Sequence, residues 1–230
     1  MYLHRIHLNP RCKEARRDLA DPYQMHATLC RAFFPHDMPC PSGGALLWRL
    51  EPETDEHGRP RLLIQSSASP DWTRVAPSDW LDRAEPGIDL EQRLALDRLS
   101  VGHIFRFRLR ANPCKAVQRR RTGLVHPDAQ LAWLARKGEQ HGFVLPPQDS
   151  QDYFDCLSGS PRYARPDVRV SQTGILSGKQ HNGNTISVYS VLFEGRLAVS
   201  DAAKFKAALK MGIGHGKVMG LGLLSIAPAI

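Results

Sequence analysis

The order of predicted strands and helices repeats along this chain, and that repetition limits the available folds more than any single motif does. Residues 2–8 read as a first strand: they alternate and run into the loop residues Asn9-Pro10. Asp21-Pro22 then starts a helix, with an acid placed to cap it. Proline follows at the first helical position, where its missing N–H costs nothing. This helix is expected to reach about Phe34 and stop before Pro35. Ala45–Leu50 and Arg61–Gln65 read as strands on either side of the charged turn Glu53–Pro60. The Pro-, Asp- and Ser-rich stretch 66–100 offers one helix, between Asp89 and Leu99.

A second series begins at Ile104. Phe105, Phe107 and Leu109 alternate with Arg106, Arg108 and Arg110, so this strand buries one face and sets a row of guanidiniums on the other. Pro127-Asp128 opens a helix that carries Leu131, Trp133 and Leu134 and closes near Gly142. Thr185–Phe193 and Arg196–Ser200 are expected to form a hairpin about Glu194-Gly195. Asp201 caps a helix with Phe205, Ala208 and Leu209, and Leu223–Ile226 makes the last strand. Each half thus reads strand–helix–strand–strand–helix–strand. Two tandem ferredoxin-like (RRM-like) βαββαβ domains of the α+β class fit that order: residues 1–100, with the helix after Asp21, and residues 101–230.

Charge is polarised. Residues 51–98 hold eleven acids and six arginines, a local charge of −5, so the rest carries +13 against a net charge of +8. Arg106 to Arg121 contains seven basic residues and no acid, and Ala202 to the end contains four lysines and no acid. A basic surface of this kind points first to nucleic acid and second to an anionic membrane surface. No stretch approaches the ~18 apolar residues that span a bilayer, and no long amphipathic apolar face is present to lie on one. The opening Met1–His7 lacks the apolar run of a secretory signal. Cys12, Cys30, Cys40, Cys114 and Cys156 have no C-x-x-C spacing, and reduced thiols in the cytoplasm are the simplest expectation.

Three constellations can carry chemistry. On the helix after Asp21, Met25, Leu29, Ala32 and Phe33 form the core stripe, while Tyr23, His26 and Cys30 fall on a second stripe about 120° round. Tyr23 and His26, three residues apart, can reach one ligand near a helix N-terminus that favours anions. In the glycine-rich tail, Gly214, Gly216 and Lys217 can form an anion-binding nest, or the glycines can serve close packing instead. The third constellation is the basic block Arg106, Arg108, Arg110, Lys115, Arg119, Arg120 and Arg121, which suits phosphate contacts. No H-E-x-x-H, no G-x-S-x-G, no carboxylate cluster for a metal and no RRM stacking pair occurs, so neither metal nor cofactor is expected.

Four segments recur in a known order: Arg16-Arg17-Asp18-Leu19-Ala20-Asp21-Pro22-Tyr23-Gln24-Met25-His26; Phe105-Arg106-Phe107-Arg108-Leu109-Arg110-Ala111-Asn112-Pro113; Val191–Leu197; and Gly212–Ser225. Together they resemble the CRISPR-associated repeat-cleaving endoribonucleases of the CasE type, the RNA-processing subunit of the Cascade surveillance complex. Residues 35–100 and 143–185 match more loosely. The resemblance implies a repeat stem-loop RNA and other Cascade subunits as partners, and metal-free cleavage at the 3′ base of the stem. It makes His26 the principal catalytic residue, with Tyr23 assisting and Arg31 on the flank of their face. It also implies a basic hairpin that grips the stem; Arg169–Gln180, with Arg169 and Lys179 flanking a glycine-containing tip, is the segment in the right place. The catalytic lysine of related RNA-processing families has no counterpart in these motifs.

RNA brings its own nucleophile, the 2′-hydroxyl, and His26 can take that proton or protonate the leaving 5′ oxygen. Which of His26 and Tyr23 is acid and which is base stays open at this level. A 2′,3′-cyclic phosphate and a 5′-hydroxyl are the expected products. The rival reading is a subunit that holds the hairpin without cutting it.

Overall fold

Two sheets form, each within one half of the chain, in a computed structural model that describes residues 1–35, 46–118, 120–148, 165–180 and 183–229. The first sheet runs in the order β2 (Leu46–Thr54), β3 (Pro60–Ser66), β1 (Tyr2–Leu8), β4 (Leu81–Ala84), with every neighbour antiparallel and the short β5 (Ile88–Asp89) also on β1. The crossover from β1 to β2 holds α1 (Lys13–Ala20) and α2 (Pro22–Phe33). It buries Ala15, Met25, Leu29, Ala32 and Phe33 in one cluster with Ile6, Leu8, Leu62 and Ile64.

The second sheet repeats this plan. Its order is β10 (Val168–Lys179), β11 (Thr185–Val199), β6 (Ile104–Ala111), β12 (Leu224–Pro228), with β9 (Phe143–Val144) on the end of β11. α4 (Pro127–His141) and α5 (Ala202–Met211) contribute Trp133, Leu134, Phe205, Ala208 and Leu209 to its core. Both sheets place their first long strand between their third and fourth, which is the ferredoxin-like order, so the expected fold occurs twice. A ribbon of β7 (Cys114–Val117) and β8 (Arg120–Gly123) stands apart from both sheets. It leans on β11, where a Cβ on Gly123 would lie 2.5 Å from that of Tyr189.

Arg49 ties the halves together. Its guanidinium is buried, and Nη1 donates to the carbonyls of Arg108 and Leu223, both at 3.1 Å. Nη2 reaches Ser225 Oγ at 3.0 Å and Nε reaches Glu51 at 2.6 Å. A buried guanidinium is tolerated only when its donors are satisfied, and here three of the four acceptors come from the other half of the chain.

Three expectations about local structure fail for physical reasons. Between Asp89 and Leu99 the expected helix is split into one α-turn, α3 (Leu90–Arg93), and one 3₁₀ turn (Leu96–Arg98), because Ala95 turns into the left-handed region at φ 46° between them. The position of the second helix is held instead by 3₁₀ turns at Trp72–Arg74 and Ser78–Trp80. Glu194-Gly195 is not a turn, since β11 runs through it unbroken. Gly195 is there because a Cβ would lie 2.0 Å from the Asp167 carbonyl oxygen. Cys30 is disulfide-bonded rather than reduced, while Cys12 and Cys114 are free. Cys40, Cys156 and Arg119 lie outside the described residues.

Candidate active site

Asp21 sets the start of α2. Its Oδ1 accepts from the backbone N–H groups of Tyr23 at 2.9 Å and Gln24 at 3.4 Å, and Pro22 follows it in the first turn. Met25 and Leu29 face the core, which leaves Tyr23 and His26 half-buried beside that stripe. Burial lowers the His26 imidazole to a pKa of about 4, so it is neutral at pH 7. Arg31 is exposed on the last turn, and its Nη2 donates to Thr28 Oγ1 at 2.9 Å. Thr28 in turn donates to Asp18 at 2.7 Å; Asp18 is buried and also accepts from Trp80 Nε1 at 2.9 Å.

Two segments from the second half meet this helix end. The Lys179 backbone N–H, at the end of β10, donates to Asp21 Oδ2 at 3.1 Å. Gly178 is packed so closely that a Cβ would lie 2.9 Å from Asp21 Oδ1, 3.0 Å from Tyr23 Cβ and 3.1 Å from Met219 Cε. Met219 ends the 3₁₀ turn Lys217–Met219, which also packs on α2. Gly214 and Gly216 take positive φ in the preceding loop, and Lys217 is half-buried, its ammonium pKa lowered by burial.

Arg169–Lys179 is a paired strand, not a hairpin tip. Lys179 pairs with Thr185 at the tip, whereas Arg169 pairs with Glu194 at the far end, roughly 33 Å away at strand spacing. Arg169 there lies 3.7 Å from the Glu194 carboxylate. The strand arginines separate as well. Arg106 is exposed and lines a cleft of about 670 Å³ with Arg49, Asp167 and Arg196, away from α2. Arg108 is held by Glu51, Glu53 and Glu194, so the absence of acids near it in sequence does not carry into space. Arg110 is half-buried in a small cavity between the halves, lined also by Pro22, Met25 and Leu176, and it bonds Gln172. Lys115, Arg120 and Arg121 are exposed on the ribbon.

One basic cluster escaped the sequence motifs. The pKa of His215 is lowered first by burial and then by the charges of Arg121, Lys137 and Lys217, and Lys137 and Lys217 also act on His141. Five basic side chains from the ribbon, α4 and the glycine-rich loop therefore gather beside the turn that packs on α2. No local spacing signals this, because the fold brings them together over about a hundred residues. Among the described residues no three His, Cys, Asp or Glu side chains group as a metal site, and no helix is long and apolar enough to cross a membrane.

Similarity to known proteins runs the length of the chain. A CRISPR-associated endoribonuclease, Cse3 of Thermus thermophilus, is 38% identical over 231 residues, covering 99% of this chain and all of the relative. The Cascade subunit CasE of Escherichia coli is 29% identical over 227 residues, with 93% and 96% covered. A solved structure of Thermus thermophilus Cse3 bound to an RNA representing a pre-cleavage complex superposes with a TM-score of 0.77 at 35% identity, covering 99% of this chain and 98% of that one. The family model for CRISPR-associated protein matches residues 1–228, and this chain belongs to that family.

Proposed function

We propose that this protein processes CRISPR precursor RNA: it is a metal-independent endoribonuclease that binds the repeat stem-loop and cuts at its 3′ base. The observation that carries this reading is the convergence of the hairpin tip at Lys179, the Lys217 turn and the basic cluster on the helix end that holds Tyr23 and His26. Full-length similarity to a relative named an endoribonuclease supports the same reaction. Neutral His26 accepts the 2′-hydroxyl proton as the 2′ oxygen bonds to phosphorus; the bond to the 5′ oxygen breaks, and that oxygen takes up a proton, from Tyr23 or from water, to leave as the 5′-hydroxyl. Tyr23 places its hydroxyl on the phosphate or the leaving oxygen. The products are a 2′,3′-cyclic phosphate, which can open to a 3′-phosphate, and a 5′-hydroxyl.

Lys179, Lys217 with Gly214 and Gly216, Arg31, and Lys115, Arg120 and Arg121 are proposed to hold the RNA. Arg108 and Arg110 are spent within the fold, and Arg106 and Arg169 lie at a distance from the site. We assign the domains as residues 1–100 and 101–230, place the protein in the cytoplasm, and expect it to assemble with other Cascade subunits.

Incubating the protein with repeat RNA in excess EDTA tests the reading. A single cut that persists in chelator and is blocked by a 2′-deoxy nucleotide at the cut site is expected. Binding without cutting would make the protein a structural subunit, and loss of cutting restored by Mg²⁺ would overturn the mechanism.

A further inference from the structure

Asp21 uses its two carboxylate oxygens in different directions. Oδ1 caps α2 through Tyr23 and Gln24, while Oδ2 accepts from the Lys179 N–H of the other half. A helix cap needs only the first oxygen, and Asn or Ser would cap about as well. The second oxygen meets a strand edge: β10 is the outer strand of its sheet, so alternate N–H groups point away from β11. A neutral cap would leave no second anionic oxygen for that N–H, whereas the carboxylate caps the helix and accepts from the strand at once. The neighbouring contact is tight as well, since no side chain fits at Gly178 between Asp21, Tyr23 and Met219.

We propose that Asp21 is a positioning residue that couples the β10–β11 hairpin to the catalytic helix, so that RNA held at the hairpin tip fixes where Tyr23 stands. The inference rests on the endoribonuclease reading given above. The Lys179 side chain is exposed at the tip, while its backbone N–H is the group tied to Asp21. One residue thus faces the RNA with its ammonium and the catalytic helix with its amide. Displacements well under the length of a hydrogen bond are enough to slow a positioned reaction.

Asp21→Asn separates the two jobs. An amide oxygen still caps Tyr23 and Gln24, but an NH₂ group then faces the Lys179 N–H, donor against donor. The melting temperature and the Kd for the repeat hairpin should stay close to the parent protein's. Hydrogen exchange at the Lys179 amide should quicken while the Tyr23 and Gln24 amides stay protected, and the single-turnover rate at saturating RNA should fall about tenfold. Gly178→Ala, whose methyl presses on Asp21 Oδ1 and the Tyr23 Cβ while leaving the carboxylate itself in place, should give the same split between rate and Kd. Unchanged Lys179 exchange in Asp21→Asn would overturn the contact. Faster exchange with an unchanged rate in both variants would overturn the coupling. A parent protein that does not cut the repeat would instead sink the endoribonuclease reading.

Discussion

Sγ of Cys30 lies 3.5 Å from Nε2 of His26, one turn further along α2. A sulfur atom is a weak partner and does little to stabilise an imidazolium, so burial dominates and holds His26 neutral. The free protein therefore presents a proton acceptor at pH 7. With the His26 pKa at about 4, kcat/KM for repeat cleavage should be flat between pH 6 and 8. A kcat/KM that falls about tenfold per pH unit above 6.5 would make His26 the acid instead.

The same burial links stability to pH. The folded state holds His26 neutral down to about pH 4, whereas an unfolded histidine protonates near its ordinary value of 6.5. The unfolded state therefore binds more protons in that window. Stability is complete above pH 6.5 and is lost as the pH falls toward 4, with His26 contributing up to about 3 kcal/mol. His4, His141 and His215 shift the same way. His26→Asn should thus reduce the acid-induced drop in melting temperature without abolishing it. An identical pH dependence in the variant would show that His26 is not desolvated.

His26→Ala should lower the single-turnover rate by at least about 10²-fold, the usual loss for a positioned acid or base, while Kd changes little. Tyr23→Phe should cost less, because its ring packing is kept. Cutting by His26→Ala at near the parent rate would remove this helix face from the chemistry.

Much of the site was legible in the sequence because it is local. Asp21-Pro22 marked the start of the helix, and a three-residue spacing placed Tyr23 beside His26. What could not be read is what the second half brings to it. The Asp21–Lys179 bond joins residues 158 apart, and the His215 cluster draws on the ribbon, α4 and the glycine loop. Alternation correctly sorted the faces of β6. It could not say that acids from β2 and β11 would wait on the guanidinium side. α1 was missed for a related reason: it is mostly charged, and within it only Ala15 and Asp18 are buried. Glycine misled at Gly195, where a residue chosen for close backbone approach looked like a turn, and again within Arg169–Lys179, where Gly178 sits in a packed strand rather than a tip.

The basic residues should accordingly divide into two groups under salt. Arg108 sits among Glu51, Glu53 and Glu194, and Glu51 is largely shielded from solvent. Arg108→Ala strands those acids and should cost about 2 kcal/mol of stability, between the values for an exposed and a buried pair. It should leave the salt dependence of RNA binding unchanged, because a guanidinium already neutralised releases no counterion from RNA. Arg120 and Arg121 are exposed on the ribbon, and Arg121 acts on His215 beside the helix end. Each phosphate contact contributes about −0.7 to −0.9 to the slope of log K against log[salt], so Arg120→Ala with Arg121→Ala should flatten the slope by up to about 1.8. The melting temperature should hardly move. Titrating labelled repeat RNA at four salt concentrations measures both slopes. If Arg108→Ala flattens the slope while the ribbon pair does not, the RNA lies over the arginine face of β6 rather than along the track from Lys179 to the ribbon.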